Sequence, residues 1–372
     1  MTAQTDSGHP RGAVVPAPPA RAYSDPGVLV EELSSVWRRG WLVAGSTSDV
    51  SDPKSYLAVD LAGVPVVVTR DRDGVLRALA NVCRHRGMIL AEGCGSALAL
   101  SCPNHAWTYG LDGRLKGAPR SSGEAGFDPS TIRLPEYAVL EWGPFVLVNL
   151  DPDAEPPLAE LALMDATLAA AGLDLRAMRP SGDPVDWTID ANWKIVIENY
   201  LECYHCSWVH RDFSTVIDVG DYRHAAEPVG DLLISTAPVK QVAERSHQQS
   251  VLATDGPLVD SHWYLLLPGA TVNLYPGAGA VELTWYWPVD AETTGARTVV
   301  LVAPDASAEY ERQVADLLMQ VGEEDNLVCE GMHRGLRSGS LDRVLLLPGS
   351  EPLIADFHAY LAARVSYSEE TR

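Results

Sequence analysis

The stretches that decide the fold of the first part of this chain are Cys83-Arg84-His85-Arg86-Gly87 and Cys102-Pro103-Asn104-His105-Ala106-Trp107. Each stretch offers one thiolate and one imidazole, which are both good metal ligands. A zinc ion accepts these residue types but does not require one of each on two separate loops. An iron–sulfur cluster in which two thiolates bind one iron and two imidazoles bind the other does require it.

These loops resemble those of the Rieske ferredoxin domain, in which the second loop is followed by a segment like Tyr109-Gly110-Leu111-Asp112-Gly113. The resemblance implies that a [2Fe–2S] cluster is bound by four residues, Cys83, His85, Cys102 and His105. Asn104 stands where the family usually has an aromatic residue, a departure that affects packing and not the ligands. A zinc knuckle is the alternative interpretation of the same spacing.

Composition is typical of an intracellular redox enzyme with two domains. At 372 residues the chain exceeds an ordinary single domain, and six cysteines are too few for a disulfide scaffold. We therefore expect a reducing, cytoplasmic location. The net charge of −22 disfavours nucleic acids and anionic membranes as partners, because both would repel the chain. The sequence has neither the pattern of a membrane span nor that of a signal peptide.

The beginning of the chain predicts a tail and then a helix. Residues 1–20 are rich in proline and alanine, so we expect them to form a disordered tail. A helix is expected over 26–40, because Ser24 or Asp25 can cap it and Pro26 can occupy its first turn.

Alternating patterns predict that strands build the first domain, which we place at 21–155. The run 145–150 is expected to be its last strand, and 151–157 has the composition of a linker. The second domain is then 156–372, and the early helix is a candidate to pack on it.

A second informative stretch is E-N-Y-L-E-C-Y-H-C at 198–206, followed by His210. On one helix, Asn199, Glu202 and His205 would share a face, because they lie three residues apart. His210 would converge with His205 only if the helix ends or kinks between them. The run also contains a C-x-x-C, to which we assign no redox or zinc role, because neither a second C-x-x-C nor a thioredoxin-like pattern accompanies it.

A carboxylate near the C-terminus would complete the two-histidine, one-carboxylate set that binds non-haem Fe(II). Apolar residues recur every three or four positions over 307–337 and predict an amphipathic helix. Asp325 falls within the apolar stripe, where a carboxylate is costly unless it is paired or binds a metal. Glu323 and Glu324 fall on the wetter side and are interpreted as solvated charges.

These features together resemble the catalytic α subunit of Rieske non-haem iron oxygenases over nearly the whole chain. The resemblance implies an α+β protein, with an N-terminal Rieske [2Fe–2S] β domain and a C-terminal helix-grip (START-like) catalytic domain built on an antiparallel sheet. It implies that His205, His210 and Asp325 bind a mononuclear Fe(II). It also implies that Glu202 links this iron to a cluster histidine of a neighbouring subunit, and Asn199 is expected to orient a ligand.

The glutamate at the linking position narrows the substrate class. Aromatic-ring dihydroxylases generally have Asp there, whereas a glutamate within E-C-Y-H-C is similar to the branch that oxidises quaternary ammonium compounds, such as glycine betaine, carnitine and stachydrine. Arg211 and His333 depart from that branch, and both are expected near the pocket.

Aromatic faces would attract a cationic substrate. For each aromatic residue taken alone, packing in the core is a better explanation than contact with a substrate. We therefore expect only two or three of them to face the cavity. The candidates are Trp208, Trp263, Tyr264, Tyr275, Trp285, Tyr286 and Trp287.

The resemblance implies an O₂-dependent monooxygenation or N-demethylation of a small quaternary ammonium or betaine-type substrate. No G-x-G-x-x-G fingerprint is present, so a separate flavin and iron–sulfur reductase is expected to pass electrons from NAD(P)H. The family also implies a homotrimer. The alternatives are an aromatic-ring dioxygenase or natural-product hydroxylase, a Rieske electron carrier without oxygenase activity, and a zinc-stabilised binding protein.

Overall fold

The computed structural model of the chain describes residues 17–240, 259–276, 279–347 and 349–367. Contacts divide the chain into two units. One unit is Trp37–Pro156, and the other joins Pro157–Arg372 to the segment that ends at Val36.

The Trp37–Pro156 unit consists of antiparallel strands in two sheets. A seven-stranded sheet has the order β1-β10-β9-β4-β3-β2-β5, and a small sheet has the order β6-β7-β8. The strands are β1 (Leu42–Ser46), β2 (Ser55–Leu61), β3 (Val64–Arg70), β4 (Leu76–Ala80), β5 (Cys94–Ser96), β6 (Leu100–Ser101), β7 (Thr108–Tyr109), β8 (Leu115–Gly117), β9 (Glu136–Trp142) and β10 (Phe145–Asn149). The first candidate ligand loop follows β4, and the second connects β6 to β7.

The first helix, α1 (Pro26–Ser35), belongs to the other unit. Asp25 caps it by accepting a hydrogen bond from the backbone N–H of Gly27, as its sequence suggested. The helix was predicted to extend to Gly40 and ends five residues earlier, because the chain turns at Val36 into a 3₁₀ turn that belongs to the Trp37–Pro156 unit.

The predicted tail is wrong for residues 17–20, and residues 1–16 lie outside the described part. Ala17 and Ala20 are buried, and the backbone N–H of Ala20 donates to the carbonyl of Asp342 over 2.8 Å. Pairing with a distant segment gives these residues an apolar contact surface that their composition alone does not predict.

The unit that contains Pro157–Arg372 has helices packed on one large antiparallel sheet. Its described strands follow the order β11-β18-β17-β16-β15-β14-β13, and β12 also pairs with β18. The elements are α2 (Leu158–Ala170), β11 (Arg179–Pro180), β12 (Val185–Ile189), α3 (Trp193–Tyr200), α4 (Cys206–Val209), α5 (Arg211–Val216), β13 (Arg223–His224), β14 (Leu232–Pro238), β15 (Asp260–Leu266), β16 (Ala270–Tyr275), β17 (Ala280–Pro288), β18 (Thr294–Val302), α6 (Ala308–Arg337) and α7 (Pro352–Ala362).

The N-W-K motif that opens α3 fixes this helix at three points. Asn192 caps it by accepting from the backbone N–H of Lys194, and its amide donates to the carbonyl of Ala291 over 2.7 Å. The indole of Trp193 donates to Glu32 over 2.7 Å, and Lys194 forms an ion pair with the same carboxylate over 2.7 Å. Both members of that ion pair are fully buried, so α1 and α3 are joined by a charged contact inside the core.

The long helix α6 packs its apolar side against the sheet. Tyr310, Val314 and Leu317 lie in one buried cluster with Trp263 and Tyr275 of the sheet. The N-terminal half of α6 therefore packs on the sheet, and α6 also contacts α3. Among the described residues, no helix combines the length and apolar character needed to span a bilayer.

Candidate metal centres and active-site cavity

In the two candidate ligand loops, the cysteines and the histidines differ in their exposure to solvent. Cys83 and Cys102 are both buried, whereas His85 and His105 are both exposed, with ring centroids 4.7 Å apart. A cluster of two irons, one held by thiolates inside and one by imidazoles outside, fits this donor set. A single zinc ion would not require the cysteines to be buried and the histidines to be exposed.

Neighbouring side chains contact one thiol and one imidazole of these loops, those of Cys83 and His85. The Tyr109 hydroxyl lies 3.4 Å from Sγ of Cys83 and accepts from the backbone N–H of Arg84 over 3.0 Å. Burial acts to raise the pKa of Cys83, but hydrogen bonds from Tyr109 and the His85 backbone lower it on balance. The His85 ring stacks on Trp107, with centroids 4.9 Å apart and an angle of 9° between the rings.

The second centre is formed by His205, His210 and Asp325, whose ligand atoms lie within 4.8 Å of one another. Nε2 of His210 is 2.9 Å from Oδ1 of Asp325, and Nε2 of His205 is 3.4 Å from that same oxygen. The two Nε2 atoms are 3.2 Å apart. Three donors that converge in this way can hold one divalent ion and leave further coordination positions open.

Each of these three side chains is oriented by a second polar residue. The Asn199 amide donates to Oδ1 of Asp325 over 2.7 Å. Glu202 contacts Nδ1 of His205, and Oε2 of Glu324 lies 2.7 Å from Nδ1 of His210. Carboxylates at Nδ1 direct Nε2 of each imidazole toward the metal position. Glu324 was interpreted as a solvated charge, which is wrong, because its side chain reaches inward to His210.

The electrostatics of this centre favour a cation. Burial lowers the pKa of His205, but hydrogen bonds with Asp325 and Glu202 outweigh burial and raise it to about 9. Burial raises the pKa of Asp325, and its hydrogen bonds with both histidines outweigh that effect and lower it to about 2. A metal ion can take the place of the protons that these groups attract.

The backbone brings these residues together through a break in the helix. Helix α3 ends at Tyr200, and Glu202 and His205 lie in the turn that follows, so Asn199, Glu202 and His205 do not share one helix as predicted. His210 lies at the junction of α4 and α5, which is the irregularity that convergence required. A disulfide joins Cys203 to Cys206 across this turn, within the C-x-x-C that was expected to have no redox role.

A cavity of about 190 Å³ adjoins this candidate metal centre and is lined by residues of the sheet, of α3 and of α6. Of the aromatic candidates, three line it, namely Trp263, Tyr275 and Tyr286. Trp208 is instead 76% exposed. Four further aromatic residues in the lining were not predicted from the sequence, namely Trp187, Tyr200, Phe213 and Tyr222.

The two residues that depart from the quaternary ammonium branch, Arg211 and His333, do not line the cavity. Arg211 is exposed at the start of α5, and His333 is buried. The ring nitrogens of His333 face the carbonyls of Asp190 and Tyr23, at 3.2 Å and 3.1 Å. His333 thus connects the N-terminal segment to α6 and does not contact the cavity.

The fold and the two sets of candidate ligands define an iron-dependent oxidoreductase with two metal centres. One set is on the two loops with Cys83 and Cys102, and the other is His205, His210 and Asp325. Residues 40–137 match the family described as Rieske [2Fe-2S] domain, and residues 174–367 match the ring hydroxylating alpha subunit (catalytic domain). The chain belongs to the Rieske non-haem iron oxygenases, as a catalytic α subunit. The predicted fold class, enzyme class and cofactors are confirmed, and the zinc-stabilised binding protein and the isolated electron carrier are excluded.

Two proteins that are similar in sequence are named as monooxygenases of carnitine and of choline, which are both quaternary ammonium compounds. The chain is 30% identical to the carnitine monooxygenase oxygenase subunit of Escherichia coli (strain K12) over 322 residues, which is 86% of this chain and 84% of that protein. It is 28% identical to the chloroplastic choline monooxygenase of Beta vulgaris over 356 residues, 92% of this chain and 76% of that protein.

Solved structures agree with these relatives. The quaternary ammonium Rieske monooxygenase CntA in complex with an inhibitor is similar, with a TM-score of 0.80, 26% identity, and coverage of 95% of this chain and 96% of that one. A naphthalene 1,2-dioxygenase variant shares the fold, with a TM-score of 0.74, 20% identity, and coverage of 96% and 95%.

Proposed function

We propose that this chain hydroxylates an N-methyl group of a small quaternary ammonium or betaine-type substrate and thereby demethylates it. The observation that carries the proposal is the cavity beside His205, His210 and Asp325, which presents several aromatic rings to its contents. Aromatic faces attract cations that have no N–H to donate. The similarity to carnitine and choline monooxygenases supports the same substrate class.

The proposed ligands follow from the two donor sets. Cys83, His85, Cys102 and His105 would hold the [2Fe–2S] cluster, and His205, His210 and Asp325 would hold Fe(II). When bound, the cluster supplies single electrons and the Fe(II) supplies the chemistry that activates O₂.

The residues of this chain hold the reacting groups in place. Asn199 and Glu324 orient Asp325 and His210, which keeps the donor atoms directed at one point. The aromatic walls position the substrate beside that point and exclude water from it. Glu202 contacts His205 directly, and we assign it the transfer of electrons from the cluster of a neighbouring subunit.

The overall reaction balances when an external donor supplies two electrons. One oxygen atom of O₂ enters a C–H bond of the N-methyl group, and the other leaves as water with two electrons and two protons. The N–CH₂OH product then breaks its C–N bond and releases formaldehyde, the free amine and a proton.

The electrons are proposed to come from NAD(P)H through a separate reductase, and the working form is proposed to be a homotrimer. A solved quaternary ammonium Rieske monooxygenase to which this chain is similar, described as giving insight into inter-subunit electron transfer, supports the passage of electrons between subunits. The cytoplasmic location remains a prediction.

The test is substrate-dependent O₂ uptake by the iron-loaded protein with a generic reductase and NADH. The panel should contain methylated amines, betaines and simple aromatic compounds, with formaldehyde measured in parallel. We expect uptake with at least one quaternary ammonium compound and formaldehyde in equal amount. Uptake only with aromatic compounds, without formaldehyde, would instead identify a ring dioxygenase or hydroxylase.

A further inference from the structure

Glu282 is a carboxylate on the sheet wall of the cavity that the metal centre does not use. It lies in β17, and it lines the cavity together with Thr284 and Tyr286 of the same strand. Oε2 accepts from the Asn273 amide over 3.0 Å and from the Tyr275 hydroxyl over 3.2 Å. Oε1 accepts from the Thr284 hydroxyl over 3.3 Å.

All three hydrogen-bond donors to Glu282 are neutral. Within the described part of the chain, no lysine, arginine or histidine forms an ion pair with this carboxylate. Hydrogen bonds from neutral groups offset only part of the cost of placing an ionised carboxylate away from water. What Glu282 lacks is therefore a positive charge and not a further hydrogen-bond donor.

Among the described residues that line the cavity, acidic side chains outnumber basic ones. Its described lining contains four carboxylates and neither lysine nor arginine; the carboxylates are Asp183, Glu202, Glu282 and Asp325. Glu202 and Asp325 belong to the metal centre, and Asp183 is exposed. Glu282 alone among these four carboxylates lines the cavity without being exposed or belonging to the metal centre.

The surroundings of Glu282 suit a cation that cannot donate hydrogen bonds. Tyr275 contacts the carboxylate directly, and Tyr286 and Trp263 line the same cavity. A quaternary ammonium group has no N–H, so it interacts through charge and through the faces of aromatic rings. A carboxylate already fixed by three donors and flanked by rings meets this need.

The protonation of Glu282 responds to the same charges. Burial raises its pKa above the ordinary value, the three hydrogen bonds act in the opposite direction, and the charge of Asp325 adds to the increase. A cation in the cavity would favour the ionised form.

We propose that Glu282 is the counter-ion of the substrate's ammonium group, and that the cavity selects a substrate with net positive charge, such as a quaternary amino alcohol, over a zwitterion. The inference rests on the proposed function and narrows its substrate class. A betaine carries a carboxylate that would lie near Glu282 and Asp325, and the described lining offers no basic side chain to pair with it.

The test is calorimetric binding to the purified, iron-loaded protein without turnover. The probes are choline, glycine betaine and 3,3-dimethylbutan-1-ol, which has the shape of choline without its charge. Glu282→Gln should weaken choline binding by about tenfold or more, because unit charges a few ångströms apart interact strongly in a poorly hydrated site. Binding of the neutral alcohol should be unchanged or tighter, and wild-type protein should bind choline more tightly than glycine betaine.

The matched control is Glu323→Gln, which removes the same charge from an exposed position on α6 and should leave binding of all three probes unchanged. Iron content and near-ultraviolet circular dichroism establish that each variant is folded. If Glu282→Gln does not fold, the comparison of the three probes on wild-type protein still decides the substrate class.

Equal losses for choline and the neutral alcohol, or no loss for choline, would refute the counter-ion role. Binding of glycine betaine as tight as that of choline would refute the selection for net charge. If wild-type protein releases formaldehyde from a quaternary ammonium compound and Glu282→Gln binds it equally well, only this inference fails. If wild-type protein neither binds nor oxidises any such compound, the proposed function fails with it.

Discussion

Asn199 donates a hydrogen bond from Nδ2 to Oδ1 of Asp325 over 2.7 Å. That oxygen also lies 2.9 Å from Nε2 of His210. Asn199 belongs to the last turn of α3, and Asp325 lies near the middle of α6, so the bond joins two helices that carry or precede the metal donors. The amide therefore holds the carboxylate in position before a metal binds.

Replacement of Asn199 by alanine should lower the affinity for the mononuclear iron by about tenfold to hundredfold, as is typical when a residue that orients a ligand is lost. The measurement is the iron retained after dialysis against graded chelator, with the visible absorption of the cluster recorded in parallel. Asp325→Ala is the reference variant, because it removes a proposed ligand and should reduce the iron from about three to about two per chain. Retention of mononuclear iron equal to that of wild-type protein would contradict the role of Asn199.

Glu324 offers a second test of the same centre. Its Oε2 lies 2.7 Å from Nδ1 of His210, and its Oε1 accepts from Gln320 over 2.9 Å. Glu324→Gln removes the negative charge that favours a proton on Nδ1, so we expect roughly tenfold weaker retention of the mononuclear iron. Glu323→Gln, at the neighbouring exposed position, is the control and should retain iron normally. Identical behaviour of the two variants would show that Glu324 does not orient His210.

Glu202→Gln tests the proposed path of electrons. The glutamine amide oxygen can still accept from His205, so both metal centres should stay loaded. Loss of the carboxylate, which contacts His205, should slow oxidation of the pre-reduced cluster by about tenfold to hundredfold when substrate and O₂ are mixed with the protein. Stopped-flow absorption follows the cluster directly. A wild-type rate of cluster oxidation in this variant would remove Glu202 from the path.

The buried ion pair between Lys194 and Glu32 predicts a large effect on stability. Lys194→Met leaves the Glu32 carboxylate in the core without its cation, which should cost about 3–5 kcal/mol of unfolding free energy. Adding Glu32→Gln should recover part of the loss, because the uncharged amide can still accept from Trp193 through its oxygen and can donate to the Tyr367 hydroxyl through its nitrogen. Denaturant unfolding of the single and double variants measures both effects, and equal stability of the two variants would argue against an unpaired charge as the cause.

Both donor sets could be predicted because their signals are local in sequence or tied to a strict pattern. The cluster residues lie on two short loops, and Asp325 interrupts an apolar stripe that only a helix explains. His210 could be predicted to converge with His205 only if the helix breaks between them. A residue five positions after His205 does not share its face of a continuous helix. The structure supplies the required break at the end of α3.

Other features depend on partners that are distant in sequence. Glu324 lies off the apolar stripe, and its contact with His210 spans 114 positions, so periodicity assigns it to solvent. Glu282 looks like any polar residue in an alternating strand. Its significance follows from strand register, which places Asn273 directly opposite it and brings that amide to its carboxylate.

Tyr109→Phe addresses the cluster site without touching a ligand. The Tyr109 hydroxyl lies 3.4 Å from Sγ of Cys83, and hydrogen bonds to cluster sulfurs raise the reduction potential. One hydrogen bond contributes about 0.5–1.5 kcal/mol, so for a one-electron couple the potential should fall by about 20–65 mV. Spectroelectrochemical titration measures this shift, and the iron content should stay unchanged. Tyr137→Phe, on strand β9 of the same domain, is the control for loss of a hydroxyl elsewhere. An unchanged potential in Tyr109→Phe would show that the hydroxyl donates to a group other than the cluster thiolate.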